Sequence, residues 1–184
     1  KYFVSEQSVN ADKIAVLYQD DSFGQDGLKS VKHVLSHFNM RSEVVSAHYQ
    51  RNTAQVEEAV KHFLQQDKEP QAVVVFATYQ ASARFPNLMR DAGYTGHIAN
   101  VSFVGSQPLL EEFHELGKHY GEGVIVSQVV PYYDSYADGV LRYRDAMQQY
   151  YPNEKPNFVS LEGYIVASIW IEALQRNGRD LSTD

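Results

Sequence analysis

Five short runs of apolar and β-branched residues recur along the chain at a nearly constant interval. The first residues of successive runs stand 25 to 30 positions apart. That interval accommodates one strand and one crossover helix, and the pattern between the runs changes to helical periodicity. The first and third runs are apolar on both faces, which is typical of strands covered by helices on both sides. The five runs are Lys13–Tyr18, Glu43–Tyr49, Ala72–Ala77, His97–Val101 and Gly123–Val130.

This alternation of strands and helices predicts an α/β fold. We expect a doubly wound, mostly parallel sheet with helices on both faces. Thr53 is a suitable N-cap for the helix between the second and third runs. The apolar face of the preceding helix contains Leu28, Val31, Leu35 and Phe38.

The pattern changes after Pro131. A polar aromatic connector is followed by two helical segments, about Tyr136–Tyr151 and Phe158–Asn177, with no strand between or after them. We therefore expect an α/β lobe over residues 1–130. Residues 131–184 are expected to form a crossover and helices of another lobe. The chain opens at Lys1, without Met, and ends soon after Gly178, so we expect a piece of a longer protein.

Composition excludes several classes of function. The 184 residues carry a net charge of −7, and an acidic surface repels phosphate backbones, so we expect no nucleic-acid partner. The absence of cysteine excludes disulfides, thiolate metal sites and a cysteine nucleophile. No run of 18 apolar residues is present, so no transmembrane segment is predicted.

Catalytic and cofactor motifs are also missing. Gly24 and Gly27 alone do not form a phosphate-binding turn, and Asp20 or Asp21 is better explained as a helix cap. His33 and His37 share a helical face, but no further ligand completes a metal site. No GxSxG elbow is present. We therefore predict a protein that is not an enzyme and that uses no metal and no cofactor.

Neutral aromatic and hydroxyl-bearing residues follow four of the predicted strands. Ligands of open α/β sheets bind beyond the carboxyl ends of the strands, so these loops are the places for a site. Aromatic walls with a few hydrogen-bonding groups indicate a small-molecule cleft. The alternative is that the aromatic rings simply pack over the end of the sheet. The residues are Ser22, Phe23, Thr78, Tyr79, Ser102, Phe103, Tyr132 and Tyr133.

An ordered set of segments resembles the type I periplasmic substrate-binding proteins, the leucine/isoleucine/valine-binding family of extracellular ligand-binding receptors. The resemblance covers nearly the whole chain. In that family two α/β lobes close over a ligand, and the present chain would be mainly the second lobe. The segments are Lys13–Gly24, Tyr79–Ala81, Ala92–Gly93, Ser102–Gly105, Gly123–Pro131 and Ser160–Tyr164.

The resemblance also implies ligand-binding residues. Phe23, with Ser22 beside it, and Tyr79 fall where the family places aromatic contacts with the ligand. Ser102 stands where amino-acid binders of the family carry an acidic residue for the ammonium group. This departure argues against a standard α-amino acid ligand. Tyr164 matches a family motif near the hinge and either faces the cleft or packs at the helix start.

Two functions are compatible with the resemblance. The first is the periplasmic component that delivers an amino-acid-like or related metabolite to the membrane permease of an ABC importer. The second is the extracytoplasmic sensor domain of a membrane signalling protein, fused to a kinase or a diguanylate cyclase. A cytoplasmic α/β enzyme is a distant third. Both the importer function and the sensor function require a small-molecule ligand and no nucleic acid.

Overall fold

A computed structural model describes residues 1–38, 40 and 42–178. The chain divides into two compact units, Lys1–Ser127 and Gln128–Asp184. Residues 179–184 of the second unit lie outside the described part. The strands are β1 (Ile14–Gln19), β2 (Ser46–Tyr49), β3 (Ala72–Phe76), β4 (His97–Asn100) and β5 (Val124–Val126). The helices are α1 (Tyr2–Ser5), α2 (Ser22–Leu35), α3 (Glu57–Leu64), α4 (Tyr79–Asp91), α5 (Ser106–Leu116), α6 (Asp138–Tyr150) and α7 (Phe158–Asn177).

The first unit is built around one parallel sheet. Its strand order is β2-β1-β3-β4-β5, and all four neighbouring pairs are parallel. The central register pairs Ile14 with Ala72 and Tyr18 with Phe76. The predicted α/β, doubly wound fold is confirmed, and the five strands fall inside the five predicted runs except at Gln19. Because all strands point the same way, their carboxyl ends share one edge of the sheet, which we call the carboxyl edge.

Apolar side chains cover both faces of this sheet. One face buries alternate residues of β1 and β3 against α3 and α4, where Phe63 and Phe85 are fully buried. The other face packs β1 against α1 and α2 through Phe3 and Leu28. A smaller cluster joins α5 to β5. Each fully buried side chain of this size stabilises the fold by about 1.5–3 kcal/mol.

One expected helix start is wrong. Thr53 does not cap α3, because its hydroxyl donates to the carbonyl of Gln50 and accepts from the N–H of Gln55 in a turn. The helix begins four residues later, at Glu57, and its N-cap is Val56, which makes no side-chain cap bond. Val56 is fully buried. Burial of this apolar side chain, rather than capping, therefore fixes where α3 begins.

Two glycines allow α2 to lie close to the sheet. A Cβ atom on Gly24 would collide with the carbonyl oxygen of Gln19, and a Cβ on Gly27 would collide with the ring of Phe76. Both glycines remove side-chain volume where the first turns of α2 cross the carboxyl ends of β1 and β3.

The second unit consists of α6, α7 and their connections. Tyr143 of α6 is buried, and its hydroxyl accepts the backbone N–H of Asn157 at 3.1 Å. The side chain of Asn157 caps α7 by accepting the backbone N–H of Ser160. In return, the hydroxyl of Ser160 accepts the backbone N–H of Asn157. This reciprocal capping box satisfies backbone donors at the start of α7. The two predicted trailing helices are thus present, at Asp138–Tyr150 and Phe158–Asn177.

We predict that Gly24→Ala destabilises the protein although alanine is the better helix former. The new methyl group overlaps backbone, which no rotamer change relieves, so the free energy of unfolding should fall by at least about 1–3 kcal/mol. Urea denaturation measures this change. The control is Gly163→Ala in α7, where a Cβ meets nothing within 4 Å. It should be neutral or stabilise by about 0.5–1 kcal/mol. Equal effects of the two substitutions would contradict the close approach.

Candidate functional site

A hydrogen-bond network connects the carboxyl ends of three neighbouring strands. The Tyr49 hydroxyl, at the end of β2, donates to Oε1 of Gln19 at the end of β1, at 2.9 Å. It also accepts the backbone N–H of Thr78, which follows β3, at 3.2 Å. Tyr49 and Gln19 are 2% and 5% exposed. Burial raises the pKa of the Tyr49 hydroxyl, which keeps it protonated as a donor.

Asp21 extends this network into α2. Its Oδ2 accepts the side-chain amide of Gln19 at 2.6 Å, and its Oδ1 accepts the N–H of Gly24 at 3.0 Å. Arg51 lies 3.7 Å from Oδ2. The Gly24 hydrogen bond, the amide of Gln19 and the charge of Arg51 hold the pKa of the Asp21 carboxyl below its ordinary value, although burial opposes them. The expected capping role of this aspartate pair is confirmed for Asp21.

Two phenylalanines meet beyond this network. Phe23, in the first turn of α2, and Phe103, in the loop after β4, have ring centroids 4.5 Å apart. Phe23 also makes an edge contact with Phe76 of β3, at 6.2 Å. Phe23 is half-buried, whereas Phe103 is 62% exposed. We call Phe23 and Phe103 the aromatic pair. It presents apolar ring surface to solvent at the carboxyl edge.

Three further predicted site residues lie in loops or helix starts at the same edge. Ser22 is the exposed first residue of α2. Tyr79 is the first residue of α4, is 41% exposed, and has no ring contact within the described part of the chain. Ser102 begins a short 3₁₀ turn after β4 and is half-buried. The topology of the first unit therefore brings Phe23, Ser22, Tyr79 and Ser102 to one edge.

Tyr164, the fifth predicted residue, lies in the second unit. Its ring packs against Tyr143 with centroids 5.6 Å apart, in the small core between α6 and α7. This contact gives Tyr164 a packing role inside its own unit.

Phe103 belongs to the set of residues that the sequence predicts for a cleft, but it has no individual role there, and no sequence pattern singles out the network around Tyr49. Phe103 was visible only as one of several loop aromatics. Nothing in the sequence spacing shows that its ring reaches Phe23, since 80 positions separate the two residues. For Tyr49, the sequence shows only a tyrosine at the end of a predicted strand, two positions before Arg51.

An apolar groove of about 430 Å³ extends to the carboxyl ends of β4 and β5, where Asn100 and Ser127 line it. It is bounded by α1, α2 and the face of β3–β5, and its walls include Val34, Val74 and Ile125. Parallel sheets normally have both faces covered, so this groove has the character of a packing surface. Its lining is mostly apolar, and the polar residues in it are Lys1, Ser30, Asn100 and Ser127.

The histidine and acidic side chains of the described residues do not cluster into a metal site of three or more protein ligands. The rings of His33 and His37 touch at 5.1 Å on α2. In residues 1–38, 40 and 42–178, no group of three or more histidine, aspartate or glutamate side chains is placed to hold a metal ion. The same residues contain no helix of the length and apolar character that crossing a bilayer requires.

Comparisons with known proteins give the class and then the family. A family model described as "Periplasmic binding protein" matches residues 1–184. The chain is therefore of a solute-binding class rather than an enzyme, in agreement with the prediction. It belongs to the type I periplasmic binding protein family. Among curated proteins, none matches the chain.

Solved structures support the same assignment. A possible leucine/isoleucine/valine-binding protein from Rhodopirellula baltica SH 1 is 32% identical with a TM-score of 0.86, over 93% of this chain and 46% of that one. A substrate-binding periplasmic protein from Ralstonia solanacearum is 26% identical with a TM-score of 0.80, over 97% and 48%. A fatty acid ABC transporter substrate-binding protein from Thermomonospora curvata, 17% identical with a TM-score of 0.75 over 91% and 42%, shares the fold. The chain thus spans about half the length of these proteins.

We predict that Tyr49→Phe destabilises the first unit by about 1–3 kcal/mol, because Gln19 loses a donor and the N–H of Thr78 loses its acceptor in a buried place. Urea denaturation gives the change. Tyr18→Phe removes the hydroxyl of a half-buried tyrosine outside this network and should have little effect. Equal stability of Tyr49→Phe and the wild type would show that the network does not hold the strand ends together.

A second prediction concerns pH. Since the pKa of Asp21 is lowered in the folded state, its contribution to stability is present above its ordinary value of 3.8 and is lost as the pH falls through the folded value. Asp21→Asn keeps a capping side chain but loses the charge. The mutant should be less stable than the wild type at pH 7, and the difference should shrink below pH ~4. Asp26→Asn, an exposed control, should show little difference at either pH. A constant gap for Asp21→Asn would refute this.

Proposed function

We propose that this chain supplies one ligand-binding lobe of a periplasmic protein that binds a small metabolite and delivers it to an ABC importer. The lobe is Lys1–Ser127, and its ligand surface is the carboxyl edge. Residues from 131 onward belong to the other lobe, and the related structures, of which this chain covers 46% and 48%, are long enough to supply the rest of it. The partner is the membrane permease, and the location is the periplasm.

The aromatic pair carries this proposal. A ring that is 62% exposed costs free energy in water, and Phe103 is held in that position by Phe23 rather than turned into the core. Ligand sites combine such apolar surface with a few hydrogen-bonding groups. Ser22, Ser102 and the hydroxyl of Tyr79 provide them at the same edge.

The buried hydrogen-bond network around Tyr49 also supports a ligand surface at the carboxyl edge. It fixes the ends of β1, β2 and β3 with buried hydrogen bonds, so the helices that carry Phe23 and Tyr79 begin from a rigid base. A preformed surface of this kind lowers the entropy lost when a ligand binds.

The importer role is favoured over the sensor role by the relatives. Two solved structures above 25% identity are named as a possible leucine/isoleucine/valine-binding protein and as a substrate-binding periplasmic protein. Neither name describes a signalling protein. The fused sensor domain remains the alternative function, and a kinase or cyclase module in the same polypeptide would establish it.

We predict that Phe23→Ala and Tyr79→Ala weaken ligand binding by the full-length protein roughly tenfold each, because each removes apolar contact area from the ligand surface. Both side chains are at least partly exposed, so folding should be preserved. A thermal-shift screen of amino acids, organic acids and other metabolites on ligand-free protein identifies the ligand. Isothermal titration calorimetry then gives the affinities.

The control variant is Leu116→Ala. Leu116 is 37% exposed at the end of α5, whereas the carboxyl-edge loop lies at the start of that helix, so its truncation should leave affinity unchanged. Wild-type affinity in both Phe23→Ala and Tyr79→Ala would exclude the carboxyl edge as the ligand surface. Absence of binding across the whole screen would argue against the transport role.

A further inference from the structure

Two histidines stand one helical turn apart at the end of α2 that lies away from the carboxyl edge. His33 lies in the last turn of α2, and His37 lies in the 3₁₀ turn Ser36–Phe38 that follows it. Their ring centroids are 5.1 Å apart, and the ring planes are inclined at 84°. Both residues are exposed, so an ion from solution reaches them without any opening of the fold.

The separation of the two rings fits a shared metal ion. A nitrogen–metal bond of about 2.0–2.1 Å places each ring centroid about 3.2 Å from the ion, and two rings at the tetrahedral angle then have centroids about 5.2 Å apart. The observed separation of 5.1 Å is close to this value. The i, i+4 spacing brings both side chains to one side of the helix, as in helical zinc motifs. The rings therefore stand at the separation of a chelate before any ion binds.

The backbone selects the protonation of one of the two rings. Nδ1 of His37 lies 2.9 Å from the carbonyl oxygen of His33. Because a carbonyl oxygen can only accept, Nδ1 of the neutral ring carries the hydrogen, and Nε2 keeps the lone pair that binds a metal. Histidines that ligate metals commonly donate their other ring nitrogen to a carbonyl in this way, which orients the ring. His37 thus has the tautomer and the support of a metal ligand.

The charges around the pair admit a cation. Both histidines lie at the C-terminal end of α2, where the dipoles of the helix carbonyls favour positive charge. Lys29 lies one turn before His33 on the same side of the helix, and Asp26 offsets its charge at 3.0 Å. Lys32 directly precedes His33, and neighbouring positions of a helix do not face each other.

We propose that His33 and His37 together bind a divalent transition-metal ion, with water completing its coordination. Within residues 1–38, 40 and 42–178, no third histidine or acidic side chain joins the pair, so the site stays open to solvent. Imidazole ligands suit Cu²⁺, Ni²⁺ and Zn²⁺, and the general order of affinities makes Cu²⁺ the tightest of the three. The site is separate from the proposed ligand surface, because ten residues place His33 about 15 Å from Phe23 along the helix.

Calorimetric titration of the untagged, full-length protein with Cu²⁺, Ni²⁺ and Zn²⁺ salts tests this site. The wild type should bind Cu²⁺ more tightly than the other two ions. His33→Gln and His37→Gln should each weaken Cu²⁺ binding at least about tenfold, because each removes one of the two ligands. The matched control is His114→Gln, which removes an exposed histidine of α5 and should leave the affinity unchanged.

Two further measurements identify the ligands. The electron paramagnetic resonance spectrum of the Cu²⁺ complex should show two coordinated imidazole nitrogens, and this signature should be lost in His33→Gln and in His37→Gln. Since the ion binds the folded helix, Cu²⁺ should also raise the thermal midpoint of the wild type more than that of either variant. Circular dichroism without metal checks that the variants are folded.

The outcomes decide the proposal in either direction. Wild-type Cu²⁺ affinity in both His33→Gln and His37→Gln would overturn the site, and an equal loss in His114→Gln would show binding without a defined pair. A loss in only one of the two variants would overturn the shared chelate. Phe23→Ala should leave metal binding unchanged, so failure of the proposed function would not affect this result.

Discussion

The ordering of the carboxyl edge depends on one buried hydroxyl. Tyr49 joins the ends of β1, β2 and β3 because its oxygen donates to Gln19 and accepts from the backbone of Thr78. Gln19 passes the connection to Asp21, which caps α2. Each polar group in this series would cost free energy if it were buried alone, and each is satisfied by the next. The helix that carries Phe23 is therefore fixed to the strand ends by a continuous set of hydrogen bonds.

The first turns of α2 combine two requirements that would conflict in an ordinary helix. The helix must come close to β1 and β3, and it must still present an aromatic side chain beyond the edge. Gly24 and Gly27 meet the first requirement by removing volume next to Gln19 and Phe76. Phe23 meets the second, because it lies in the same turn and extends to Phe103. The amino-acid order Ser-Phe-Gly-Gln-Asp-Gly thus encodes close packing and an exposed binding surface together.

The strands and the parallel sheet could be predicted because hydrophobic periodicity is a local property. The runs around Ala15 and Val73 are buried on both faces, and this was readable from their composition. The start of α3 was misplaced because Thr53 is a good cap by type, whereas burial of Val56 decides the boundary. The Phe23–Phe103 contact could not be read from the sequence, since it depends on the order of the strands and not on any local pattern.

Helix α7 provides an intrinsic optical signal. It exposes Ile169, Trp170 and Ile171, three consecutive residues that together span most of its circumference, so no single face of this helix is the apolar one. A helix of this kind is normally enclosed by other protein atoms. Trp170 is the only tryptophan in the sequence and is 63% exposed in the described residues. The tryptophan fluorescence of this chain, excited selectively over that of its tyrosines, therefore comes from α7 alone, and a blue shift would report the enclosure of that helix without any added label.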